Sequence, residues 1–340
     1  MIKQDSKSFW RIMMHSSPRF SYADIKRITN HFKNKLGEGA HGTVFKGKLS
    51  TDIQVAVKVL NNSEMTVRAS CMKWEPWAKF ITSTLFVCWA FVLTVFIVLL
   101  FEFFSNGSLQ KFISSPDDKE NFLGWSKLQE KALSIAKGIE YLHQGCDYRI
   151  LHFDINPRNV LLDQNLSPKI SHLGLAKLCP KNQNTVSMTA ARGTLGYIAL
   201  EVFSRNFENV SYKPDIYSYR ILLLEMVGGR RNVNTNQQTF RVLYPSWIHN
   251  LIEGGDVSMY IEDEFEIRTA KKLAIVGLSC IQWYPISGPS MKTVIHMLEG
   301  EVDELKVPPT LFDFTTSTTT SIIVPARHLN SDLDVIHELE

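Results

Sequence analysis

The chain has 340 residues, 44% hydrophobic and 21% charged, the balance of a globular protein that buries a core without staples rather than of a disordered one. Its net charge of +3, from 37 basic and 34 acidic residues, excludes a strongly basic nucleic-acid wrapper or an acidic tail protein, and no nucleic acid is expected among its partners. Five widely spaced cysteines without a C-x-x-C pattern exclude a disulfide framework or a zinc ribbon and read as reduced, mostly buried thiols.

Met1 to Phe20 holds no long apolar run and does not read as a secretory signal. Residues 36–60 read as strands, first around Gly37-Glu38-Gly39-Ala40-His41-Gly42 and Thr43 to Gly47, then Gln54 to Leu60. Phe80 to Phe101, 22 residues, contains no charge. By length and hydropathy it passes as a transmembrane helix, and by its Val, Ile, Phe and Thr content as buried strands. As strands it would be apolar on both faces, which predicts an exposed apolar patch.

Beyond the Asn106-Gly107 turn the chain reads as helices. Leu128, Ala132, Ile135, Ile139 and Leu142 make a helical stripe over Ser126–His143. Further helices are predicted over Asp215–Val227, closed by Gly228-Gly229, over Lys271–Cys280, and over Ser290–Leu298 with Gly300 just beyond. After about residue 305, Pro308-Pro309 and the Thr/Ser run 315–321 suit a flexible tail. Residues 64–80 and those after 312 lack a patterned apolar face, so low order is expected there.

Gly37, Gly39 and Gly42 form G-x-G-x-x-G. The motif is weak alone, and here it leads into a returning strand rather than a helix. Such a hairpin brings backbone N–H groups up to phosphates without Cβ clashes. Val55-Ala56-Val57-Lys58 follows sixteen residues on; a lysine ending a buried strand is expensive unless it meets an anion. Asp154 and Asn159 then lie five apart within Ile150 to Leu162, so that one loop can carry a base and a metal ligand. Lys169 to Ala176, GTLGYIALE from Gly193 to Glu201, and Asp215-Ile216-Tyr217-Ser218 complete the series.

Six motifs in this order resemble eukaryotic protein kinases. Phe20-Ser21-Tyr22-Ala23-Asp24-Ile25, His152-Phe153-Asp154-Ile155 and Ala190 to Ala199 narrow the resemblance to plant receptor-like serine/threonine kinases of the leaf-rust-resistance-locus type. The resemblance covers roughly 20–63 and 101–312. It implies an α+β, bilobal fold, with a small antiparallel-β N-lobe and a larger α-helical C-lobe. The implied layout is a juxtamembrane-like lead-in at 1–33, a kinase domain at 34–304 and a tail at 305–340. Within the domain, 34–101 is the N-lobe, 102–107 the hinge and 108–304 the C-lobe.

The same resemblance implies ATP and Mg²⁺ as cofactors and a protein substrate or signalling partner. It also implies a place on the cytoplasmic face of the plasma membrane. Gly37, Gly39, Gly42 and Val44 would cover ATP, Ala56 would pack on adenine and Lys58 would hold the α/β-phosphates. Asp154 would orient the substrate hydroxyl and accept its proton, and Asn159 would hold a metal ion. Phe153 stands where many kinases carry Arg, which removes the cation that pairs with a phosphorylated activation loop.

Several positions depart from the pattern. Asn156 replaces a lysine and brings no charge; His172 replaces the metal-binding aspartate of D-F-G. Leu200 replaces the proline of A-P-E, Gly288 the arginine that pairs with Glu201, and Arg220 a glycine. Position 73, where a glutamate should pair with Lys58, is Lys, and only Glu64 and Glu75 could stand in. Between Glu64 and Leu100 the resemblance vanishes while the family's spacing is kept, as a frame shift or mis-spliced gene model would produce. Impaired transfer is therefore expected. The alternatives are a pseudokinase scaffold module or a membrane-anchored remnant with a span at 80–101.

Overall fold

The computed structural model describes residues 20–39, 42–50, 53–60, 88–92, 97–113, 122–146, 148–188, 193–203, 210–228, 251–253, 261–279 and 288–307. They fall into two compact units: one holds residues up to Asn106 with Asp163–Leu166, the other Gly107–Leu162 and Ser167 onward.

The first unit is a helix on an antiparallel sheet. Helix α1 (Tyr22–Ile28) starts at Ser21, whose hydroxyl accepts the Asp24 N–H while the Asp24 carboxylate accepts the Ser21 N–H. Strands β1 (Lys35–Gly39), β2 (Gly42–Lys48), β3 (Gln54–Leu60), β4 (Cys88–Val92) and β5 (Ile97–Glu102) follow. They are ordered β1-β2-β3-β5-β4. Val55, Val57, Val98 and Leu100 face Ile25 and Ile28 of α1 in one buried core. Gly42 sits at φ 137°, and a Cβ there would meet the Val59 carbonyl oxygen at 2.1 Å, so only glycine turns the hairpin this tightly against β3. Replacing Ile25 with Ala is expected to destabilise this unit by about 2–5 kcal/mol in urea unfolding. An unchanged midpoint would mean that α1 does not belong to the core.

This sheet corrects the reading of 80–101. Residues 88–92 and 97–102 are strands, so the segment is not one helix. Among the described residues no helix is long and apolar enough to cross a membrane. The physical reason is two-sided burial. β5 lies between β3 and β4, Val98 and Leu100 are fully buried against α1, and Leu99 on the opposite face is 4% exposed. A strand buried on both faces is apolar throughout, and residues 98–100 expose no apolar patch. The low-order expectations for 64–80 and beyond 312 lie outside the described residues.

The second unit is mainly helical. Helix α2 (Trp125–Glu140) runs into a π-turn at Tyr141–Gly145. Two small antiparallel pairs follow, β6 (Tyr148–Leu151) with β9 (Lys177–Pro180), and β7 (Val160–Leu162) with β8 (Pro168–Ile170). Next come the short α3 (Leu200–Phe203), then α4 (Lys213–Gly228), α5 (Glu264–Ser279) and α6 (Met291–Glu299). Every helix read from the sequence is present. α5 starts seven residues earlier than expected, because the Asp263 carboxylate accepts the Glu266 N–H and caps it. The antiparallel sheet and the helical unit give the α+β class that the motifs implied.

Candidate active site

The loop between β6 and β7 carries Asp154, Asn156 and Asn159, and a buried aspartate on α4 shapes it. Asp215 is fully buried. Its Oδ2 accepts the His152 N–H at 2.8 Å and its Oδ1 the Phe153 N–H at 2.7 Å. His143 Nε2 donates to Oδ2 at 2.9 Å, since a carboxylate only accepts. Burial alone would raise the Asp215 carboxyl, but the His143 hydrogen bond and the His152 amide outweigh it and hold the carboxyl below its ordinary range. Phe153 is thereby pinned at φ 62°, a left-handed conformation that bulky residues avoid. The His152 ring donates Nε2–H to the Ser171 carbonyl at 2.8 Å and accepts the Asp154 N–H at Nδ1.

This frame presents Asp154 half-buried. Its Oδ1 accepts the Thr194 N–H at 3.0 Å, the Thr194 hydroxyl at 2.6 Å and Asn156 Nδ2 at 3.0 Å. Its Oδ2 accepts Asn159 Nδ2 at 2.7 Å. Asn156 is 2% exposed. Its amide also donates to Thr194 Oγ1, and its Oδ1 accepts the N–H groups of Arg158 and Asn159. The Asn159 carbonyl accepts both the N–H and the hydroxyl of Ser171, which fixes the chain just before His172. His172 is exposed and left-handed, at φ 64° and ψ 46°, and opens a short 3-10 turn at Leu173–Leu175.

The sequence reading gave Thr194 no role. Its signal was Gly193: at φ 130°, a Cβ there would meet the Phe153 carbonyl oxygen at 2.8 Å, so glycine lets this loop close against the other. Asp154, Asn156, Asn159 and Thr194 thus form one hydrogen-bonded cluster in the second unit.

In the first unit, the strand register pairs Gly37 with Val44, Val44 with Lys58 and Lys58 with Leu99. Val44, Ala56 and Lys58 therefore share the sheet face opposite α1. A Cβ on Gly37 would meet nothing within 4 Å.

The family model described as "Protein tyrosine and serine/threonine kinase" matches residues 30–296. The chain belongs to the protein kinase family. It is similar to the Rust resistance kinase Lr10 of Triticum aestivum, 43% identical over 307 residues, covering 86% of this chain and 47% of that protein. It is also similar to the leaf rust 10 disease-resistance locus receptor-like protein kinase-like 2.4 of Arabidopsis thaliana, 44% identical over 303 residues, with 86% and 48% covered. A PR5-like receptor kinase of Arabidopsis thaliana is 41% identical over 304 residues, with 86% and 45% covered. The chain spans about half the length of these curated relatives.

Set in a kinase, the departures acquire surroundings. Phe153 is 4% exposed and packs with Leu151, Cys179, Met188, Ala199 and Val202, so apolar contact holds this part of the second unit. Arg220 is 5% exposed, stacks 4.3 Å from the Tyr217 ring centroid and, among the described residues, has no hydrogen-bond partner for its buried Nε, an unfavourable arrangement. At Gly288, the Lys213 ammonium donates to the carbonyls of Gly288 and, at 3.3 Å, Pro289. Leu200 opens α3, and position 73 lies outside the described residues.

Burial pushes the Glu201 carboxyl from 4.5 up to about 7, against the pull of a backbone hydrogen bond and of the Lys213 charge. A raised carboxyl weakens the fold as pH climbs from its unfolded value through its folded one, because the unfolded state ionises first. Glu201→Gln removes this ionisation. The kinase domain carrying it is expected to gain about 1–2 kcal/mol over the unmodified chain at pH 8, after discounting for partial exposure, and nothing near pH 4. Denaturation midpoints at both pH values measure it, and an equal difference at the two would refute the assignment.

Proposed function

We propose that this chain is the serine/threonine kinase domain of a plant receptor-like kinase, binding ATP and passing its γ-phosphoryl group to a protein hydroxyl, with transfer impaired in this copy. The observation that carries the reading is the Asp154 carboxylate, held by Thr194, Asn156 and Asn159. Its Oδ2 takes a single side-chain donor from this cluster, which suits it to accept the proton of an incoming hydroxyl. The hydroxyl oxygen of the substrate would then attack the γ-phosphorus of ATP as the bond to the β–γ bridging oxygen breaks and ADP leaves, the proton resting on Asp154. The Thr194 hydroxyl reaches Asp154 from the stretch Ala190 to Ala199, which narrows the resemblance to receptor-like serine/threonine kinases. Gly37, with open space where a Cβ would be, supports close approach of ATP to the sheet, with Val44, Ala56 and Lys58 on one face. Hinge residues Glu102 to Gly107 would meet adenine. The receptor-like relatives support a place at the cytoplasmic face of the plasma membrane and a signalling partner there.

Asn156 and His172 support impairment, since one brings no cation and the other no anionic oxygen. They also favour a second reading, a pseudokinase module that holds nucleotide and works through partners. Transfer of labelled γ-phosphate to a generic protein substrate separates the two. Slow transfer, below about 1 s⁻¹ and abolished by Asp154→Asn, is the expected result. Turnover at about 1–100 s⁻¹, as in ordinary kinases, would remove the impairment. No transfer above the Asp154→Asn background would favour the pseudokinase.

A further inference from the structure

We propose that this chain binds ATP without a Mg²⁺ clamp, because the donors around Asp154 and His172 do not suit that ion. The inference rests on the ATP-binding reading above and concerns how the phosphates are held.

Mg²⁺ demands near-octahedral oxygen at about 2.0–2.1 Å, usually with one or two carboxylates supplied by the protein. In the kinase pattern those donors fall at Asn159 and at position 172. His172 offers an imidazole, which suits later transition metals better than Mg²⁺. Its backbone, at φ 64° and ψ 46°, is one that aspartate also tolerates. The substitution therefore changes the donor and not the path of the chain.

The nearby groups do not replace the lost carboxylate. Asp154 already accepts three hydrogen bonds at Oδ1 and one at Oδ2. Asn159 turns its amide hydrogens to the Asp154 carbonyl at 2.9 Å and to Oδ2 at 2.7 Å, which leaves one neutral oxygen for a ligand. The Asn156 amide and its oxygen are bonded within the same loops. Among the described residues no three His, Cys, Asp or Glu side chains are grouped to hold a metal ion. The ion would meet one amide oxygen and one imidazole where the pattern provides an amide oxygen and a carboxylate.

Calorimetric titration of ATP into the full chain tests this in EDTA, in Mg²⁺ and in Mn²⁺. The dissociation constants in EDTA and in Mg²⁺ are expected to agree within about threefold, less than 1 kcal/mol. With His172→Asp, Mg²⁺ should tighten binding at least about tenfold over EDTA. With His172→Asn, neutral and similar in size to aspartate, Mg²⁺ should leave it unchanged. Tightening by Mn²⁺ but not by Mg²⁺ in the unmodified chain would also support the imidazole as the discriminating donor. A tenfold effect of Mg²⁺ on the unmodified chain would overturn the proposal and leave the ATP-binding reading standing. A His172→Asp chain indifferent to Mg²⁺ would overturn it too. Absence of binding in every condition would remove the proposal together with the reading beneath it.

Discussion

Restoring the two missing charges together, with His172→Asp and Asn156→Lys, is expected to raise Mg²⁺-dependent phosphotransfer at least about 10²-fold. Electrostatic stabilisation dominates this chemistry, and one preorganised group is worth about 10²–10³ in rate. The carboxylate introduced at position 172 would supply the anionic oxygen that imidazole lacks, in a backbone conformation aspartate tolerates. The lysine introduced at position 156 would bring a cation beside the transferring phosphoryl group. That lysine has a structural drawback. It cannot accept hydrogen bonds, so the Arg158 and Asn159 N–H groups lose the Asn156 Oδ1. The Asn159 N–H keeps its bond to the carbonyl of residue 156 at 3.1 Å. The double variant should therefore lose about 1 kcal/mol of stability while gaining rate. Labelled γ-phosphate transfer and denaturation on the same preparation read both effects. A stable double variant with no gain would place the dominant defect elsewhere. The first candidate would be position 73, where the kinase pattern has a glutamate and this chain has Lys.

The sequence made the Asp154 loop legible because its residues are contiguous. Asp154, Asn156 and Asn159 lie within six positions, and the structure joins them by hydrogen bonds. Thr194 and Asp215 are far along the chain from Asp154, and only the fold brings their side chains to its loop. Each left a trace, in the glycine before Thr194 and in an acidic residue opening an apolar helix. Helix α1 was missed although Ser21 and Asp24 have the spacing of a capping box, because seven residues are too few to show a helical period. The start of α5 was missed because its cap, Asp263, precedes the apolar stripe. The run at 80–101 misled by hydropathy: a strand buried on both faces and a membrane helix are equally apolar. Only pairing with β3, which places Leu100 opposite Val57 and Leu99 opposite Lys58, decides for the strand.

Asp215→Ala is expected to be among the most damaging single changes, lowering stability by about 3–5 kcal/mol. It strips the partner from three buried donors at once: the N–H groups of His152 and Phe153 and His143 Nε2. Each unsatisfied buried donor is worth about 1–3 kcal/mol. The loss extends to geometry. Phe153 holds φ 62°, a strained value that persists only where its surroundings over-determine it. Released, Phe153 would relax, and both its side chain in the apolar cluster and the neighbouring Asp154 would move. Asp215→Asn should be milder, because the amide oxygen still accepts while its NH₂ faces a donor. The acid limb gives an independent reading. A depressed carboxyl stabilises the fold fully above its ordinary value of 3.8 and progressively less as pH falls through its lower folded value. The Asp215→Asn chain should therefore lose less stability than the unmodified chain as pH falls below 3.8. Equilibrium unfolding of both variants, with and without acid, would show this. An Asp215→Ala midpoint close to that of the unmodified chain would mean that the loop owes its shape to Gly193, Thr194 and Ser171 instead, and that the buried carboxylate only fills space.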